Sequence, residues 1–348
     1  MKKIIITVLI AVALMGAGGM IFYQANLGAM SQVEAKVAFS VENGTSLNRT
    51  IGQLHEQGLI ANETAAKIYC RLNGITSVQA NTYELDMSMD LKKIMRIIST
   101  GDHDYVIMAK VTVLDGQRIS DIVATLNGLG LDGERFGEYI NDENNLKGWI
   151  DTYWWLTSDV LQPEIKYPLE GYLAPETYFV QAGDDALAQL AAAMLEQTDA
   201  VLSPLQDAIS TFQVDGKTLT VHEFMTLSSI VQAESLNSDD ALVIAGVFVN
   251  RLEANMPLQS DVTVNYANDE IKVAVTHADL ATDSKYNTYL YAGLPIGPIA
   301  TIDREIYNSV LNYTPNDYFY FFALEDGSII YSKTYQEHLK VVQENKWY

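Results

Sequence analysis

The amino-acid sequence predicts a mixed α+β fold that follows an N-terminal transmembrane helix. Three features indicate this: an uncharged apolar run near the N-terminus, a strand–turn–helix pattern that occurs twice, and helical patterns separated by Pro- and Gly-rich loops. The 348 residues are enough for two or three domains. We therefore expect an anchor over residues 1–24, a small α+β region over residues 37–131 and a mixed α+β domain over residues 132–348.

The apolar run follows Lys2 and Lys3 and extends from Ile4 to Tyr23. About twenty apolar residues are needed to cross a bilayer. A cleaved signal peptide is the alternative, because Ala13 to Gly19 is rich in small residues. The run is longer than a usual signal-peptide core, so we favour an uncleaved anchor. The lysines before it and the acidic chain after it predict a single-pass protein of the cell membrane whose body lies outside the cytoplasm.

Charge and cysteine content restrict the possible partners and the kind of scaffold. The formal net charge of −22 argues against binding to nucleic acid or to anionic lipid headgroups. It leaves a sugar polymer open as a ligand, since sugars are recognised by stacking and hydrogen bonds. Cys70 is the single cysteine, so an internal disulfide is excluded, and we expect a small core residue at this position.

A weak repeat lies between the anchor and residue 131. Ser40–Gly44 is followed by apolar residues at helical spacing, and Thr112–Gly116 is followed by the same pattern in the same register. Between the two copies, Asn81–Leu85 predicts a strand, and the following apolar residues predict a helix that ends before Gly101. The arrangement is similar to a LysM-like module, a type that binds glycan. A scaffold that only separates the larger domain from the membrane is an equal alternative.

The most informative helix begins at Thr220, which forms the pattern of a capping box with Glu223. Apolar residues follow on one face, and Glu234 falls on that face one turn beyond Ile230 and Val231. Desolvation raises the pKa of a carboxyl in such a place, which suits a general acid at neutral pH. The alternative is a glutamate at a helix end that turns to water.

Three further segments contain polar residues among Pro and Gly. The first is Pro168–Tyr178, and the last is the stiff loop that follows Tyr286. Between them, Met256–Val264 contains β-branched residues and predicts a strand. The histidines show no HExxH or HxH spacing, and neither a phosphate-binding loop nor a GxSxG elbow occurs. We therefore expect neither a metal ion nor a cofactor.

Four sequence blocks closely resemble the endolytic murein transglycosylase family, the MltG or YceG-like proteins. The blocks are EGYLAPETY from Glu170, SSIVQAES from Ser228, GVFVNRL…MPLQSDVTV from Gly246, and YNTY…GLPIGPIA from Tyr286. They span about half the chain in the family's order. The anchor and the LysM-like region also fit this family.

The resemblance implies that Glu234 is the catalytic residue. The family's helix motif usually carries two glutamates, of which the second is catalytic. Here Gln232 replaces the first, and Glu234 holds the second. Other departures are Val262, where proline is common, and Ile329, near a usual histidine.

The family's reaction cleaves the MurNAc–GlcNAc bond of nascent peptidoglycan strands without water and leaves 1,6-anhydroMurNAc ends. The resemblance therefore implies a membrane-anchored lytic transglycosylase that ends glycan elongation, with cell-wall synthases as partners. Two alternatives are a catalytically silent glycan-binding or scaffold protein and a hydrolytic muramidase. A hydrolase normally needs a second carboxyl, for which the candidates are Asp261, Glu170 and Glu176. The residues that we assign to the substrate cleft are Glu170, Gln259, Asp261, Tyr286, Asn287 and Thr288.

Overall fold

The computed structural model describes residues 16–181, 183 and 185–346. These residues form a mixed α+β fold in which each sheet has two strands. The chain divides into two compact units. The first runs up to Lys110 and includes strand residues 179–181, and the second comprises Val111–Tyr178 and the chain from Leu187 onwards. The predicted domain boundary at residues 131 and 132 stays a prediction.

Most of the predicted anchor lies outside the described residues, which begin at residue 16. Residues 16–25 are helical, and we call them α1. Within the described ranges, no helix is both long enough and apolar enough to cross a membrane. The anchor therefore stays a prediction.

The first unit contains a strand–helix–helix–strand arrangement followed by a further helix. Strands β1 (Lys36–Val41) and β2 (Asn81–Asp86) are antiparallel and pair so that Phe39 lies opposite Tyr83, and both side chains are fully buried. Gly101, in a left-handed conformation, ends the last helix, and the predicted strand and helix before it are both confirmed. The elements are β1 (Lys36–Val41), α2 (Leu47–Glu56), α3 (Glu63–Leu72), β2 (Asn81–Asp86), α4 (Leu91–Thr100) and a 3₁₀ turn (His103–Tyr105).

The predicted repeat is present as two strand–turn–helix segments. Gly44 follows β1 with φ +80°, and Gly116 follows the corresponding strand with φ +73°. Such conformations carry little steric cost for glycine because it lacks a Cβ atom. The second copy comprises β3 (Ile107–Val113), α5 (Ile119–Gly128), α6 (Gly133–Ile140) and α7 (Glu143–Thr152), and β3 pairs with β4 (Glu176–Gln181).

Helices dominate the rest of the second unit. Helices α10 (Val221–Glu234) and α11 (Ser238–Glu253) pack on each other and on α14 (Arg304–Leu311), and their facing residues are almost all buried. The elements are 3₁₀ turns Ser158–Leu161 and Ser203–Leu205, α8 (Ala186–Leu202), α9 (Gln206–Thr211), β5 (Gln213–Val214), β6 (Lys217–Thr218), α10 (Val221–Glu234), α11 (Ser238–Glu253), α12 (Asp261–Ala267), α13 (His277–Leu280), α14 (Arg304–Leu311), β7 (Tyr320–Ala323), β8 (Ile329–Ser332) and α15 (Tyr335–Asn345).

The strand predicted over Met256–Val264 is wrong, because helix α12 begins at Asp261. The β-branched residues that suggested a strand lie in the first turn of this helix, where Thr263 and Val264 are fully buried. Packing against α10 therefore outweighs the local β preference.

Candidate active site

Helix α10 places Glu234 at its C-terminal end. Its N-terminus has the predicted capping box, in which Thr220 Oγ1 accepts from Glu223 N–H at 3.1 Å and Thr220 N–H donates to Glu223 Oε2 at 2.8 Å. The apolar face that includes Ile230 and Val231 is fully buried. Because these residues fix the helix in the core, they also fix where its last residue lies. The Glu234 carboxyl is partly buried.

The Glu234 carboxyl has a serine donor and two charged neighbours. Ser260 Oγ donates to Glu234 Oε1 at 2.6 Å. Burial raises the pKa of Glu234 to about 7; the Ser260 hydrogen bond and the charge of Arg251 oppose this shift, whereas the charge of Asp261 adds to it. A carboxyl with this pKa is populated in both protonation states at neutral pH, so it can donate a proton and later accept one.

Ser260 is held in place by a network of threonine hydroxyls. The Ser260 N–H donates to Thr288 Oγ1 at 3.1 Å, and the Thr263 and Thr288 hydroxyls bond each other at 2.9 Å. Just before it, Gln259 is exposed and adopts φ +48°, an uncommon conformation for a residue with a side chain. Backbone strain of this kind is often found at functional sites. Two features therefore fix the backbone of Ser260, whose hydroxyl contacts Glu234. They are the hydrogen bond from its N–H to Thr288 and the constrained conformation of Gln259 before it.

Arg251 braces the segment that leads to this serine. It lies in the last turn of α11 with only 7% of its surface exposed. Its Nε–H donates to Phe319 O at 2.6 Å, and Nη1–H donates to Leu258 O at 2.6 Å. The guanidinium also lies 5.0 Å from the ring centre of Tyr320. The sequence analysis missed Arg251; the available signal was an arginine two residues after the uncharged run from Ala241 to Val249.

Asp261 lies next to Ser260 in the chain and bonds a tyrosine that the sequence analysis did not select. Tyr289 OH donates to Asp261 Oδ1 at 2.6 Å. Both side chains are partly buried. Burial raises the pKa of Asp261, and the Tyr289 hydrogen bond opposes that shift. A second carboxyl therefore lies near Glu234, close enough for its charge to raise the pKa of Glu234.

Glu170 lies in the interior, with 1% of its surface exposed. Its Oε1 accepts the Ile119 N–H at 3.0 Å at the start of α5, and its Oε2 accepts the Tyr266 hydroxyl at 3.0 Å. Burial raises the pKa of Glu170 to about 8. These contacts connect α5 to α12. The predicted role of Glu170 in substrate binding stays a prediction, and its protein partners favour a structural role.

The predicted cleft residues Tyr286, Asn287 and Thr288 are also buried, each with at most 1% of its surface exposed. The Asn287 side-chain amide donates to the carbonyl oxygens of Leu280 and Thr282 at 3.0 Å and 2.9 Å. These bonds shape the loop that supplies Thr288 and Tyr289 to the site. Direct contact of these three residues with substrate stays a prediction.

Gln232 connects the end of α10 to two loops. Its side-chain Nε2–H donates to Asp115 Oδ2 at 3.3 Å, and its Oε1 accepts the Asp303 N–H at 2.8 Å. An amide can make both bonds, whereas an ionised glutamate could only accept. Gln232 can therefore donate a hydrogen bond to the Asp115 carboxylate, which an ionised glutamate at this position could not do.

Among the residues that the structure describes, no group of three or more His, Cys, Asp or Glu side chains is placed to hold a metal ion.

Comparison with known proteins finds similar chains over most of the sequence. The model of the YceG-like family matches residues 39–344. An endolytic murein transglycosylase of Bacillus subtilis (strain 168) is 32% identical over 339 residues, which cover 94% of this chain and 90% of that protein. An endolytic murein transglycosylase of Streptococcus pneumoniae serotype 2 is 29% identical over 99% of this chain, which spans 65% of that protein.

A solved structure is similar in fold as well as in sequence. The crystal structure of a YceG-like protein from Listeria monocytogenes, at 2.6 Å resolution, matches with a TM-score of 0.62 and 32% identity. The match covers 89% of this chain and 100% of the crystallised chain.

Proposed function

The chain belongs to the YceG-like family, and on this premise we propose that it is an endolytic peptidoglycan lytic transglycosylase. It cleaves the MurNAc–GlcNAc bond within glycan strands and leaves 1,6-anhydroMurNAc ends. The observation that carries the chemistry is the partly buried Glu234 carboxyl, whose pKa burial raises to about 7 and whose orientation the Ser260 hydroxyl fixes.

Glu234 acts first as the acid and then as the base. Its carboxyl gives a proton to the glycosidic oxygen, the bond from that oxygen to the anomeric carbon breaks, and its electron pair stays with the departing sugar. The C6 hydroxyl oxygen of MurNAc then bonds the anomeric carbon and closes the anhydro ring. The hydroxyl proton passes to the Glu234 carboxylate, so the enzyme returns to its starting state.

The orientation of Glu234 matters because one group must serve both steps. The Ser260 hydroxyl donates to Oε1 and leaves Oε2 for the substrate. Holding a reacting group in place removes part of the entropic barrier to reaction. The buried contacts of Ser260 and Arg251 therefore support catalysis although neither side chain exchanges a proton.

Product analysis tests this function directly. We expect peptidoglycan digested by the full chain to contain anhydroMurNAc ends in the mass spectrum, and Glu234→Gln to abolish their formation while it retains glycan binding. The matched control is Glu253→Gln, because Glu253 is the exposed last residue of α11 as Glu234 is the last of α10. Ordinary reducing ends from the native chain would instead identify a muramidase, and binding without cleavage would identify a scaffold protein.

We also propose that residues 1–24 anchor the enzyme in the cell membrane with the catalytic region outside the cytoplasm. This location brings Glu234 to nascent strands near the membrane, where cleavage would end glycan elongation and cell-wall synthases would be its partners. Removal of residues 1–24 should move the protein from the membrane fraction to the soluble fraction. Retention in the membrane fraction would reject this anchor.

The LysM-like region over residues 37–131 and the catalytic domain over residues 132–348 remain part of the proposal. The strand–helix–helix–strand arrangement of β1, α2, α3 and β2 supports the LysM-like assignment. Whether this region binds glycan or serves as a scaffold is decided by comparing how well the Glu234→Gln chain retains purified glycan strands with and without residues 37–106, which belong to the first compact unit. Lower retention without them indicates glycan binding, and equal retention indicates a scaffold.

A further inference from the structure

A small cavity lies between the C-terminal part of α8, the start of α14 and residues Ala174–Glu176. Its volume is about 110 Å³, far more than the roughly 10–15 Å³ that one water molecule requires. Apolar side chains on its wall are Pro175, Val201 and Ile302. The reaction assigned to Glu234 gives this cavity no role, and it leaves the middle of the Pro168–Tyr178 segment unexplained.

A buried tyrosine hydroxyl belongs to this cavity. Tyr307 lines it and has 3% of its surface exposed. Within residues 16–181, 183 and 185–346, no group hydrogen-bonds the hydroxyl, and the charge of Asp303, another lining residue, acts on it. Burial of a hydroxyl without a partner is unfavourable. The ring is held by stacking on Phe224, with 6.1 Å between the ring centres. The hydroxyl is therefore available to a group that enters the cavity.

Charged side chains of both signs border the same cavity. Arg304 is exposed, and in the described part of the chain its guanidinium forms no ion pair. Asp303 Oδ1 accepts the Glu305 N–H at 2.7 Å, and Glu176 Oε1 accepts the Thr177 N–H at 2.8 Å. Each carboxylate still has a second oxygen for a ligand. A ligand that satisfies both signs carries an ammonium group and a carboxylate.

Gln232 connects the cavity to the helix that carries Glu234. Its side-chain Oε1 accepts the N–H of Asp303 at 2.8 Å. Two positions along a helix correspond to a rotation of roughly 200°, so Asp303 and Ser260 lie on opposite sides of α10. A helix with its side chains is about 10–12 Å across, and four extended peptide residues reach roughly 13–14 Å. A peptide attached to a sugar at Glu234 is therefore long enough to reach the cavity.

We propose that this cavity binds an amino-acid head group, with one ammonium and one carboxylate, that the stem peptides on MurNAc supply. The ammonium lies beside the Glu176 and Asp303 carboxylates. The carboxylate accepts from the Arg304 guanidinium and the Tyr307 hydroxyl. This inference rests on the proposed action on peptidoglycan. It makes the enzyme favour glycan strands that carry peptides over bare strands, and binding forms and breaks no covalent bond.

Calorimetry on the full Glu234→Gln chain tests binding without cleavage. The probes are a soluble glycan fragment that carries stem peptides and the same fragment after an amidase has removed them. We expect the peptide-bearing fragment to bind about tenfold more tightly, because charged hydrogen bonds are lost with the peptide. Equal affinities would overturn the proposal. Free diaminopimelate should bind more weakly than the peptide-bearing fragment, and equally tight binding would overturn the stem peptide as the source of the head group.

Arg304→Gln tests the carboxylate end of the site. We expect KM for peptide-bearing strands to rise about five- to tenfold while kcat stays unchanged, because the arginine binds substrate and transition state equally. KM for bare strands should not change. The matched control is Arg135→Gln, because Arg135 is an exposed arginine in the first turn of α6, just after its capping aspartate. An unchanged KM for peptide-bearing strands in Arg304→Gln would overturn this role.

Tyr307→Phe removes only the hydroxyl. We expect KM for peptide-bearing strands to rise about threefold without a fall in melting temperature, because no hydrogen bond within the described chain is lost. Tyr313→Phe is the matched control, since its ring packs on Phe212 at 6.3 Å and its hydroxyl also lacks a hydrogen bond among the described residues. A lower melting temperature with an unchanged KM would mean that the hydroxyl serves folding, and would overturn its role in binding.

The outcomes distinguish this inference from the proposed reaction. Anhydro ends from the native chain, with equal KM for peptide-bearing and bare strands, would leave the transglycosylase intact and overturn the peptide subsite. Reducing ends from the native chain would overturn the transglycosylase. The subsite would still be supported in that case if Arg304→Gln raised KM for peptide-bearing strands alone.

Discussion

At the scale of single residues, the site depends on how its neighbours adjust one carboxyl. Burial and the charge of Asp261 raise the pKa of Glu234, while the Ser260 hydrogen bond and the charge of Arg251 lower it. These opposing influences place the pKa at about 7, where the same group can act as acid and as base. Changing any one neighbour should therefore shift the pH dependence in a direction that follows from the sign of its influence.

Ser260→Ala should shift the alkaline limb of the pH–rate profile to higher pH. The serine hydroxyl stabilises the Glu234 carboxylate, so its loss raises the pKa and keeps the acid protonated at higher pH. We also expect kcat to fall about tenfold, because the carboxyl loses the bond that orients it. Loss of the Asp261 charge should have the opposite effect, because this charge raises the pKa of Glu234. Ser99→Ala is the control, and an unmoved limb in Ser260→Ala would exclude this role for the serine.

The sequence was sufficient to predict Glu234 but not its partners. Helical spacing alone places Glu234 on the same face of α10 as the buried apolar residues, because side-chain directions in a helix repeat about every 3.6 residues. The bond to Ser260 joins residues 26 positions apart, and the bond between Asp261 and Tyr289 joins residues 28 positions apart. No local pattern encodes contacts of this kind. Tyr289 was within a recognised block, yet its buried neighbours were selected as cleft residues instead.

At the scale of elements, helix α12 shows why the strand predicted from the β preference of Met256–Val264 does not form. Three consecutive β-branched residues, Val262–Val264, favour a strand, but burial of Thr263 and Val264 beside α10 gives the helix. This helix matters for the site because the turn that leads into it places Ser260 in contact with Glu234 and Asp261 next to Ser260. The elements whose periodic pattern extended over several turns, such as α10 and α4, were predicted correctly.

Two Pro- and Gly-rich loops meet through Gly171, and this contact gives a stability prediction. Gly171 has φ +79°, and a Cβ atom there would lie 2.4 Å from Pro298 Cβ and 3.2 Å from Ala300 O. We expect Gly171→Ala to lower the free energy of unfolding by roughly 2–4 kcal/mol in urea denaturation. Gly130→Ala is the matched control, because Gly130 has φ +77° but no atom within 4 Å of the added Cβ. Equal losses in the two variants would show that the close contact contributes nothing.

At the scale of the whole molecule, the negative net charge is consistent with the proposed attachment to the membrane through an apolar segment. A net charge of −22 disfavours adhesion to anionic headgroups, so the proposed attachment to the membrane depends on the predicted anchor over residues 1–24. Glu170 is buried and Glu234 is partly buried, and burial raises the pKa of both carboxyls, so each is more easily protonated in the folded protein than in the unfolded chain. Both carboxyls therefore make the folded state less stable as the pH rises from about 4.5 to the folded pKa of each group, about 8 for Glu170 and about 7 for Glu234.

Glu170 should make the folded protein less stable as the pH rises. Its pKa is about 8 in the folded protein, above the ordinary value of 4.5, so its stabilising effect is complete below about pH 4.5 and is lost as the pH passes through 8. Glu170→Gln has no proton to lose and can still accept the Ile119 N–H. Between pH 6 and pH 8 we expect the native chain to lose about 1 kcal/mol of unfolding free energy per pH unit relative to this variant.

Urea denaturation at several pH values measures this difference. The matched control is Glu176→Gln, because Glu176 is an exposed carboxyl of the same segment and should leave the slope of the native chain unchanged. Parallel pH dependences for the native chain and Glu170→Gln would mean that Glu170 is already ionised in the folded protein. In that case its contacts with Ile119 and Tyr266 would have to stabilise a buried charge, and charge-assisted hydrogen bonds would connect α5 to α12.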